Sequence, residues 1–501
     1  MMKQIFSMEG TKEIDKQTIE NIGIPSIVLM ENAAEGILNQ VVHKGENFII
    51  FCGTGNNGGD GIALGRKLLL FNKNVKIFIL GNIENGSNEF KINYNIFKKF
   101  GGNIVNLSED MLNRDLELEI KNSDIIIDAI FGVGLSRNIA GLYYNVIKMI
   151  NNFSKYTVAI DVPSGLNCNT GKALGISIVA NETYSIEVYK KGFFSNEAQK
   201  YLGNVKIIKI GIPDFIKKIN DEEVYLLEEE DYKSILPKRN ITGHKGDYGK
   251  VLILAGSSGF TGAAYIVAES VVRTGAGLVT LLIEDNLQDI FSTRLTEQMT
   301  LRYSETSRID KMLKNIDVLI CGPGLSKNNE NIKMLEKCIK ESSCYVIADA
   351  DALNIISEKK DLLKYLKGRT IFTPHVGEMA RLVGESISDI EDNRIEISKK
   401  YAEENNVIVL LKGYNTIITD GKKTVINVTG SSKMASGGMG DCLSGIIGSL
   451  VGQSKDLFNS TVLGAYIHGK SGDELGKTRF SVNAGDVIEI IPSVMEYLNN
   501  N

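Results

Sequence analysis

Two glycine-rich stretches, each carrying an aspartate near its end, hold the residues best suited to chemistry. The first is FCGTGNNGGDG, at residues 51–61, and the second is MASGGMGD, at residues 434–441. A glycine-rich turn at the start of a helix leaves backbone amides free to bind an anion or a polar ligand. An aspartate beside such a turn can bind a polar ligand or a cation and, beside the second turn, can take the proton from a bound hydroxyl group. Asp60 and Asp441 are therefore candidate site residues.

The first stretch has the G-x-G-x-x-G spacing of a dinucleotide-binding turn, at residues 53–58. Asp60 would repel a phosphate there, and the next strand ends at 78–81 without the acid that holds a ribose. Both observations argue against a standard NAD-dependent dehydrogenase. Oxygens of Asn56 and Asn57 can instead coordinate a hard cation or hydrogen-bond an uncharged ligand. The alternative is a simple turn in which Asp60 caps the helix.

Two further strand ends carry polar side chains. DAIFGVGLSRN, at 128–138, begins with Asp128, and DVPSGLN, at 161–167, contains Asp161 and Ser164. The carboxyl ends of parallel strands meet at one edge of a sheet, where ligands bind. These side chains are therefore predicted to converge on one crevice with the first glycine-rich turn.

The second stretch is predicted to form an anion hole at the start of an apolar helix. A phosphoryl group in transit would be held by four backbone amides, those of Gly437, Gly438, Met439 and Gly440. Asp441 would then take the proton from a hydroxyl group that attacks the phosphorus. No GxxxxGK[ST] loop occurs at a strand-to-helix turn, so a P-loop enzyme is excluded. The alternative is that Asp441 is an ordinary helix N-cap.

Both halves of the chain alternate apolar runs with helix-like stretches, which predicts an α/β fold with buried parallel strands. The predicted strands are 47–52, 75–80, 124–131, 156–162 and 204–213, then 250–256, 278–283, 317–322, 344–350, 369–374 and 406–413. The charged segment between the two series marks a domain boundary. We predict a first domain at 1–215, a linker at 216–235 and a second domain at 236–501.

Composition excludes several classes of function. The chain has 501 residues and a net charge of −5, so no basic field favours nucleic-acid binding. No run approaches the ~20 apolar residues of a membrane span, and the first residues lack the apolar core of a signal peptide. The six cysteines form no CxxC pair, which is typical of reduced cytosolic thiols. We expect a cytoplasmic enzyme acting on small molecules, with neither a nucleic-acid nor a membrane partner.

Four motifs of the first half resemble, in this order, those of the NAD(P)H-hydrate epimerase domain. They are IPSIVLMENAA (24–34), GNNGGDG (55–61), DAIFGVG (128–134) and DVPSG (161–165), and the resemblance covers roughly residues 1–215. It implies a Rossmann-like doubly wound sheet and a potassium ion held by Asn57, Asp128 and Ser164. It also implies a hydrate pocket lined by Asn56, Asn57, Gly58, Gly59, Asp60, Gly132, Val133, Gly134, Leu135, Ser136, Arg137, Asn138 and Asp161.

Asp161 is the candidate catalytic residue of this domain. The hydrate carries a hydroxyl group at C6 of the reduced nicotinamide, and epimerisation proceeds by ring opening or by loss and return of water. Either route needs a group that exchanges protons with the substituents of C6. The alternative is that Asp161 only orders the loop before Pro163.

The second half resembles the ADP-dependent NAD(P)H-hydrate dehydratase domain of the ribokinase-like superfamily, over about residues 240–495. Its motifs are HKGDYGKVLILAGSSGFTGAA (244–264), RTGAGLVTLL (273–282), CGPGLSK (321–327), DADALN (349–354), TPHVGEMARL (373–382), LKGYNTIITDG (411–421) and MASGGMGD (434–441). The whole chain therefore resembles the bifunctional NAD(P)H-hydrate repair family, with the epimerase first. The resemblance implies ADP as phosphoryl donor, Mg²⁺, and NADH hydrate or NADPH hydrate as substrate.

The resemblance also implies roles for single residues of the second half. The predicted hydrate contacts are Ala263, Gly324, His375 and Asp441, and the predicted nucleotide contacts are Lys412, Gly413, Tyr414, Asn415, Thr416 and Gly440. Asp441 would be the catalytic base. Two alternatives stay open: His375 caps a loop, and Lys412 extends to solvent. Glu378 either orients His375 or binds magnesium. The acids of DADALN, Asp349 and Asp351, are expected to be structural caps rather than metal ligands.

Three departures from the family pattern concern local contacts. Ser326 stands where a glycine is expected, the loop before MASGG reads TGSSK, and EVYKKGFFS (187–195) only loosely matches a Lys-Pro-Gly turn.

A rival interpretation is a ribokinase-like kinase of a vitamin alcohol whose first domain is a silent binding module. The choice of ADP or ATP stays open, and relatives suggest a homo-oligomer.

Overall fold

The computed structural model describes residues 2–218 and 223–500. They form two compact units, one of residues 4–218 and one of residues 223–500 together with residues 2 and 3. The division falls within the charged segment predicted as a linker, of which residues 219–222 lie outside the described residues. Part of that segment, Val224–Leu226 and Glu229–Ser234, is a strand and a helix of the second unit.

The chain up to residue 218 contains nine strands and eight α-helices among its described residues. The strands are β1 (Lys3–Phe6), β2 (Asn47–Cys52), β3 (Asn74–Ile79), β4 (Asn103–Asn106), β5 (Ile125–Ala129), β6 (Thr157–Ile160), β7 (Glu182–Ile186), β8 (Tyr189–Lys190) and β9 (Asn204–Ile208). The helices are α1 (Met8–Gln17), α2 (Ser26–Val41), α3 (Asn56–Leu70), α4 (Asn88–Lys99), α5 (Arg114–Asn122), α6 (Gly141–Phe153), α7 (Gln199–Leu202) and α8 (Asp214–Lys217). Shorter turns of π or 3₁₀ helix lie at Thr18–Ile22, Ile83–Asn85, Glu109–Met111 and Lys191–Phe194.

The main sheet of the first unit is parallel, with the strand order β4-β3-β2-β5-β6-β7-β9. Ile50 of β2 is in register with Ile77 of β3 on one side and with Ile127 of β5 on the other. The order therefore reverses between β2 and β5, which is the point where open parallel sheets bind ligands. Outside this seven-stranded sheet, β1 pairs in parallel with β8, and Phe6 lies beside Lys190 in their register. The predicted doubly wound, Rossmann-like sheet is confirmed.

The second unit begins at β10 (Val224–Leu226). Its other strands are β11 (Lys250–Leu254), β12 (Leu278–Ile283), β13 (Met299–Arg302), β14 (Val318–Cys321), β15 (Tyr345–Ala348), β16 (Thr370–Phe372), β17 (Ile408–Leu411), β18 (Thr416–Thr419) and β19 (Thr424–Asn427). The helices are α9 (Glu229–Ser234), α10 (Thr261–Arg273), α11 (Gln288–Arg294), α12 (Thr306–Leu313), α13 (Asn329–Glu341), α14 (Asp351–Glu358), α15 (Leu363–Leu366), α16 (Val376–Val383), α17 (Ile387–Asp392), α18 (Arg394–Asn405), α19 (Met439–Ser454), α20 (Leu457–Gly476) and α21 (Ala484–Asn500). 3₁₀ turns lie at Lys245–Tyr248, Asp285–Leu287, Lys360–Leu362 and Ser432–Met434.

The sheet of the second unit has the strand order β13-β12-β11-β14-β15-β16-β17-β18-β19-β10. The strands from β13 to β17 are parallel, whereas β17, β18 and β19 form an antiparallel meander. Helix α19 is almost wholly buried in the apolar core together with α10 and α20. This packing fixes the start of α19, and with it Asp441, beside the carboxyl ends of the parallel strands.

The described helices include none with both the length and the apolar character needed to cross a membrane.

Candidate active sites

A cavity of about 810 Å³ opens at the switch point of the first unit, beyond the carboxyl ends of β2 and β5. Most of the predicted hydrate pocket lies on its wall: Asn56, Asn57, Asp60, Gly132, Val133, Gly134, Leu135, Ser136, Arg137 and Asp161. Three predicted residues, Gly58, Gly59 and Asn138, are not on this wall. The wall also includes Asp15 and Lys190, for which the sequence analysis predicts no role.

Glycine is required at the turn that leads from β2 into α3. A Cβ atom on Gly58 would lie 1.8 Å from the Gly53 carbonyl oxygen, so only glycine lets the helix start so close to the strand. Gly55 takes the N-cap position, and no side chain caps this helix. The alternative that Asp60 is a helix cap is therefore wrong. The turn directs the first residues of α3 to the cavity, and Asn56 and Asn57 lie on its wall.

Asp161 forms a buried ion pair with Lys190. The Lys190 side chain is wholly buried, and its Nζ donates to Asp161 Oδ1 at 2.6 Å. The same ammonium group donates to Ser185 Oγ at 3.0 Å and to the carbonyl oxygens of Ile186 at 2.8 Å and Val188 at 3.2 Å. These acceptors satisfy its hydrogen-bonding capacity. Lys190 thus stabilises a negative charge on Asp161 at the cavity wall.

The backbone holds Asp161 in an uncommon conformation. Its φ angle is 66°, in the left-handed region that costs a non-glycine residue about 1–3 kcal/mol. Its Oδ1 atom also accepts a hydrogen bond from the Ile186 backbone amide at 3.1 Å. Such strain is often found at functional sites, where surrounding contacts fix one geometry. The alternative that Asp161 only orders its loop does not account for its carboxylate contacts with Lys190.

Two carboxyl groups on the cavity wall are held without partners. Within the described part of the chain, neither the Asp60 nor the Asp15 carboxyl group has a hydrogen-bond or ion-pair partner. Asp60 is only 7% exposed. Burial raises the pKa of Asp60 well above its usual value, and the nearby carboxylates of Asp161 and Asp15 raise it further. Burial likewise raises the pKa of Asp15 to about 6, while Lys190 opposes that shift.

Asp128 and Ser164 form a compact buried pair. The Ser164 hydroxyl donates to Asp128 Oδ1 at 2.5 Å, and the Ser164 amide donates to Oδ2 at 2.7 Å. The Ile130 amide donates to the same Oδ1 at 3.2 Å. Burial raises the pKa of Asp128 to about 6, although the hydrogen bonds from Ser164 act in the opposite direction. The two side chains that the sequence predicts as metal ligands are therefore in contact.

Asn57 has an unsatisfied side chain. Both its Oδ1 and Nδ2 atoms are buried, and neither has a hydrogen-bond partner in the described parts of the chain. Its Oδ1 lies 3.4 Å from where a Cβ atom on Gly132 would be. A buried amide without partners is costly, so this one is suited to a bound ligand or ion. No group of three or more His, Cys, Asp or Glu in residues 2–218 and 223–500 is placed to hold a metal.

In the second unit, the glycine-rich loop leads directly into α19. Gly438 occupies the N-cap position with φ 86°, and a Cβ atom there would lie 2.6 Å from Ile266 Cδ1. No side chain caps this helix, and Asp441 is its third residue. The N-cap alternative for Asp441 is therefore wrong.

Lys412 points into the protein toward two acids. Its Nζ donates to Asp349 Oδ1 at 2.6 Å and lies 3.8 Å from Glu378 Oε2. Asp349 is 1% exposed, and its Oδ2 accepts a hydrogen bond from Ser444 Oγ at 2.7 Å. A Cβ atom on Gly440 would lie 3.4 Å from Lys412 Nζ and 3.7 Å from Asp349 Oδ2. The alternative that Lys412 extends to solvent is therefore wrong.

Asp441 belongs to the same cluster. Its pKa is raised to about 6, chiefly by burial and also by the Asp349 carboxylate, while the Lys412 ammonium group opposes the shift. A general base is most effective when its pKa lies near the working pH. Asp441 therefore has the protonation behaviour that such a base needs.

His375 and Glu378 cap helix α16. The His375 amide donates to Glu378 Oε2 at 2.8 Å, and the Gly377 amide donates to His375 Nδ1 at 3.0 Å. Nδ1 is therefore an acceptor, and Nε2 carries the proton, 3.4 Å from Glu378 Oε1. The imidazole ring is 55% exposed. His375 thus caps its loop and still presents a donor at the surface, and Glu378 orients it.

The remaining predicted contacts of the second unit lie in two groups. Ala263 and Gly324 are adjacent, because a Cβ atom on Gly324 would lie 2.9 Å from the Ala263 Cβ. In the turn between β17 and β18, Gly413 has φ 147° and Asn415 has φ 54°, and the Thr416 hydroxyl donates to the Gly413 carbonyl at 3.0 Å. The Tyr414 side chain at the tip of this turn is 55% exposed.

Ser326 adopts the conformation for which the family pattern has a glycine. Its φ angle is 62°, and its amide donates to Asp351 Oδ2 at 2.8 Å. Asp351 is thus a structural cap, whereas Asp349 is part of the Lys412 cluster. The hydrogen bond helps to hold serine in a backbone conformation that glycine adopts more easily.

Comparison with known proteins assigns each unit to a described domain. The family described as NAD(P)H-hydrate dehydratase matches residues 251–493, and the family described as YjeF-related protein N-terminus matches residues 26–192. The bifunctional NAD(P)H-hydrate repair enzyme Nnr of Moorella thermoacetica is 36% identical over 506 residues, 97% of this chain and 95% of the relative. The chain belongs to the bifunctional NAD(P)H-hydrate repair enzyme family. As a member it is an enzyme of nicotinamide-cofactor repair, as the sequence predicts.

Further members and structures agree with this assignment. The Nnr enzyme of Dictyoglomus turgidum is 32% identical, with 98% of both chains covered, and that of Escherichia coli is 27% identical over 99% of this chain and 94% of its own. A ribokinase-like superfamily protein from Enterococcus faecalis V583 has a TM-score of 0.53 at 24% identity, covering 56% of this chain and 98% of its own. That structure shows the fold alone: the second unit shares the α/β fold of this ribokinase-like protein.

Proposed function

We propose that the first unit interconverts R- and S-NAD(P)H hydrate and that the second dehydrates the S form with ADP as phosphoryl donor. The observation that carries the proposal is the placement of Asp441 in the first turn of α19, beside Gly440, Lys412 and Asp349. This arrangement combines a base, a cation and backbone amides at one helix start. Phosphoryl transfer needs positioning, charge stabilisation and such a base.

In the proposed dehydration, Asp441 takes the proton of the C6 hydroxyl group. The hydroxyl oxygen then bonds to the terminal phosphorus of ADP, and the bond from phosphorus to the bridging oxygen breaks, so that AMP leaves. The C6–O bond next breaks with its electron pair on the phosphate, and a proton leaves C5, which restores the ring double bond. The amides from Gly437 to Gly440 would stabilise the migrating phosphoryl group.

Lys412 has a proposed role at the nucleotide phosphates. Its ammonium group lies beside Gly440 and is paired with Asp349. A phosphate bound beside Gly440 would therefore interact with the same ammonium group as Asp349. The oxygen donors of Asp349 and Glu378 fit Mg²⁺, which proteins usually bind through one or two carboxylates and substrate phosphates. When bound, Mg²⁺ supplies positive charge to the transferring phosphoryl group. Tyr414 and its neighbours in the β17–β18 turn are proposed to contact the nucleotide.

In the proposed epimerisation, Asp161 exchanges the proton of the hydrate. Its carboxylate, held in place by the ion pair with Lys190, is the proposed proton acceptor. Potassium is proposed at Asn57, Asp128 and Ser164. The orphaned Asn57 amide and the buried Asp128 carboxyl fit a hard cation with oxygen ligands. Its charge would help to order the cavity wall around the hydrate.

The enzyme assay that tests this function uses chemically prepared NADH hydrate as a mixture of epimers. With ADP, we expect both epimers to be converted to the reduced nicotinamide. Its absorbance measures the reaction. Parallel reactions with ATP and with sodium in place of potassium test the donor and the cation. No recovery with any nucleotide would contradict the dehydratase, and rapid recovery of the S epimer alone would contradict the epimerase. Phosphorylation of a vitamin alcohol instead would support the rival kinase.

Gly440 provides a test of nucleotide binding that leaves the fold unchanged. The Cβ atom of Gly440→Ala would meet only ordinary van der Waals distances in the protein, 3.4 Å to Lys412 Nζ and 3.7 Å to Asp349 Oδ2. It would, however, occupy space that we assign to a phosphate. We expect unchanged thermal stability and a KM for ADP raised by about 10-fold, which corresponds to about 1.4 kcal/mol. An unchanged KM would remove Gly440 from the nucleotide site.

We also propose a cytoplasmic homo-oligomer. All six cysteines are free and buried, as expected in a reducing compartment. At the end of α3, Leu70 is 63% exposed and Phe71 is 55% exposed, and apolar side chains of this kind suit self-association. Sedimentation velocity of the purified protein measures the assembly directly.

A further inference from the structure

The cavity of the first unit contains one carboxyl group that has an ion-pair partner and one that has none in the described part of the chain. Asp161 is held by the Lys190 ammonium group and by a backbone amide. Asp60, on the neighbouring helix α3, is buried on the same wall and has no partner within the described part of the chain. A buried carboxylate without a donor is unfavourable, whereas a buried carboxylic acid is tolerated and is itself a donor.

The charges around Asp60 favour its protonated form. The titratable and charged groups that face this part of the cavity come from several elements: Lys12 and Asp15 from α1, Cys52 from β2, Arg137, Tyr143 from α6, Asp161, and Glu187 and Lys190 near β8. Glu187 is neutralised by Lys217 at 2.5 Å and Lys209 at 3.2 Å, and Lys190 by Asp161. Burial raises the pKa of Asp60, and the carboxylates of Asp161 and Asp15 add to the effect.

Two carboxyl groups whose environments favour opposite protonation states are a known arrangement for acid and base catalysis. We propose that Asp60 is the general acid of epimerisation, acting opposite Asp161 as base, with Asp15 as a positioning residue that keeps the proton on Asp60. This inference rests on the epimerase function proposed above. The route in this inference is loss and return of water, in which the acid protonates the departing hydroxyl group.

The proposed steps balance in protons and electrons. Asp60 gives its proton to the C6 hydroxyl oxygen, the C6–O bond breaks with its pair on oxygen, and the N1 lone pair forms an N1–C6 double bond. Water leaves, and a water molecule adds to the other face of C6. The double-bond pair returns to N1, and the added water gives its proton to Asp161. The proton then returns through cavity water to Asp60, which restores the ion pair between Asp161 and Lys190.

The first test compares variants of the full-length protein without ADP, so that dehydration does not occur. R and S NADH hydrate are separated by chromatography, and their exchange rate is measured. General acid catalysis contributes about 10²–10⁴-fold, so Asp60→Asn is expected to slow exchange at least 100-fold. Asp115→Asn, an exposed aspartate on α5, is the matched control and should exchange at the wild-type rate. Exchange by Asp60→Asn within threefold of wild type overturns the inference.

The second test needs only the wild-type protein and Asp15→Asn. In ¹⁸O-labelled water, loss and return of water places solvent oxygen on C6 at each inversion, which mass spectrometry detects. Wild-type exchange should slow as pH rises and Asp60 loses its proton. Asp15→Asn should move this decline to lower pH, because one negative charge near Asp60 is removed. Inversion with full retention of the original oxygen overturns the inference even if Asp60→Asn fails to fold.

The outcomes separate this inference from the proposed function. If the wild-type protein exchanges the epimers no faster than buffer, the epimerase function fails, and the inference fails with it. If the wild type is active, retained oxygen or an active Asp60→Asn variant removes the acid role of Asp60 and leaves the epimerase function intact.

Discussion

Asp441→Asn should lower the rate of hydrate dehydration by about 10³-fold or more while ADP still binds. Asparagine keeps the size of the side chain but cannot take the hydroxyl proton, and a general base contributes about 10²–10⁴-fold. The neighbouring Lys412–Asp349 ion pair does not depend on Asp441 for its 2.6 Å hydrogen bond. Single-turnover assays measure the chemical step, and calorimetry measures nucleotide affinity.

The pH dependence of the wild-type enzyme gives an independent check. The pKa of Asp441 is raised to about 6, and only its ionised form accepts a proton. Dehydration should therefore slow as pH falls below about 6, and the residual activity of Asp441→Asn should lack this decline. Asp361→Asn, an exposed aspartate of the same unit, is the control. Normal turnover by Asp441→Asn would remove this residue from the mechanism.

Asp161→Asn should reduce epimerisation by at least about 10²-fold and leave dehydration of the S epimer unchanged. The substitution also leaves the wholly buried Lys190 ammonium group without its carboxylate. Removing one member of a buried ion pair costs about 3–5 kcal/mol, so a lower free energy of unfolding of the first unit is expected as well. Chromatography of the epimers and thermal unfolding measure the two effects separately.

A double variant distinguishes the chemical role of Asp161 from its structural one. Asp161→Asn with Lys190→Met removes both charges and should recover much of the lost stability, because no buried charge is left unpaired. Epimerisation should stay low in the double variant. If activity returned together with stability, Asp161 would act only by supporting the fold.

The sequence predicts the sheets well because their strands are continuous apolar runs. The predicted strand 47–52 coincides with β2, and predicted 278–283 coincides with β12. Predicted 204–213 extends beyond β9, which ends at Ile208. The strand Glu182–Ile186 is not predicted, because ETYSI has no apolar run and is buried only through its neighbours in the sheet.

The sequence predicts those site residues that lie in a local motif. It misses those whose contacts come from segments distant in sequence. Asp441 lies in one glycine-rich stretch, and this local motif is enough to single it out. Asp349 meets Lys412 across 63 positions of sequence, so its role in the cluster is not visible from DADALN alone. Lys190 is buried through the pairing of β8 with β1, and only the departure at EVYKKGFFS draws notice to it. Asp15 lies outside every motif.

The distribution of buried thiols gives the protein a built-in reporter of unfolding. Cys52 and Cys168 lie in the first unit, whereas the second contains Cys321, Cys338, Cys344 and Cys442. All six are buried, and burial raises the pKa of each thiol, so alkylating reagents meet little reactive thiolate in the native state. The mass added by a reagent during gentle heating would thus reveal which half opens first.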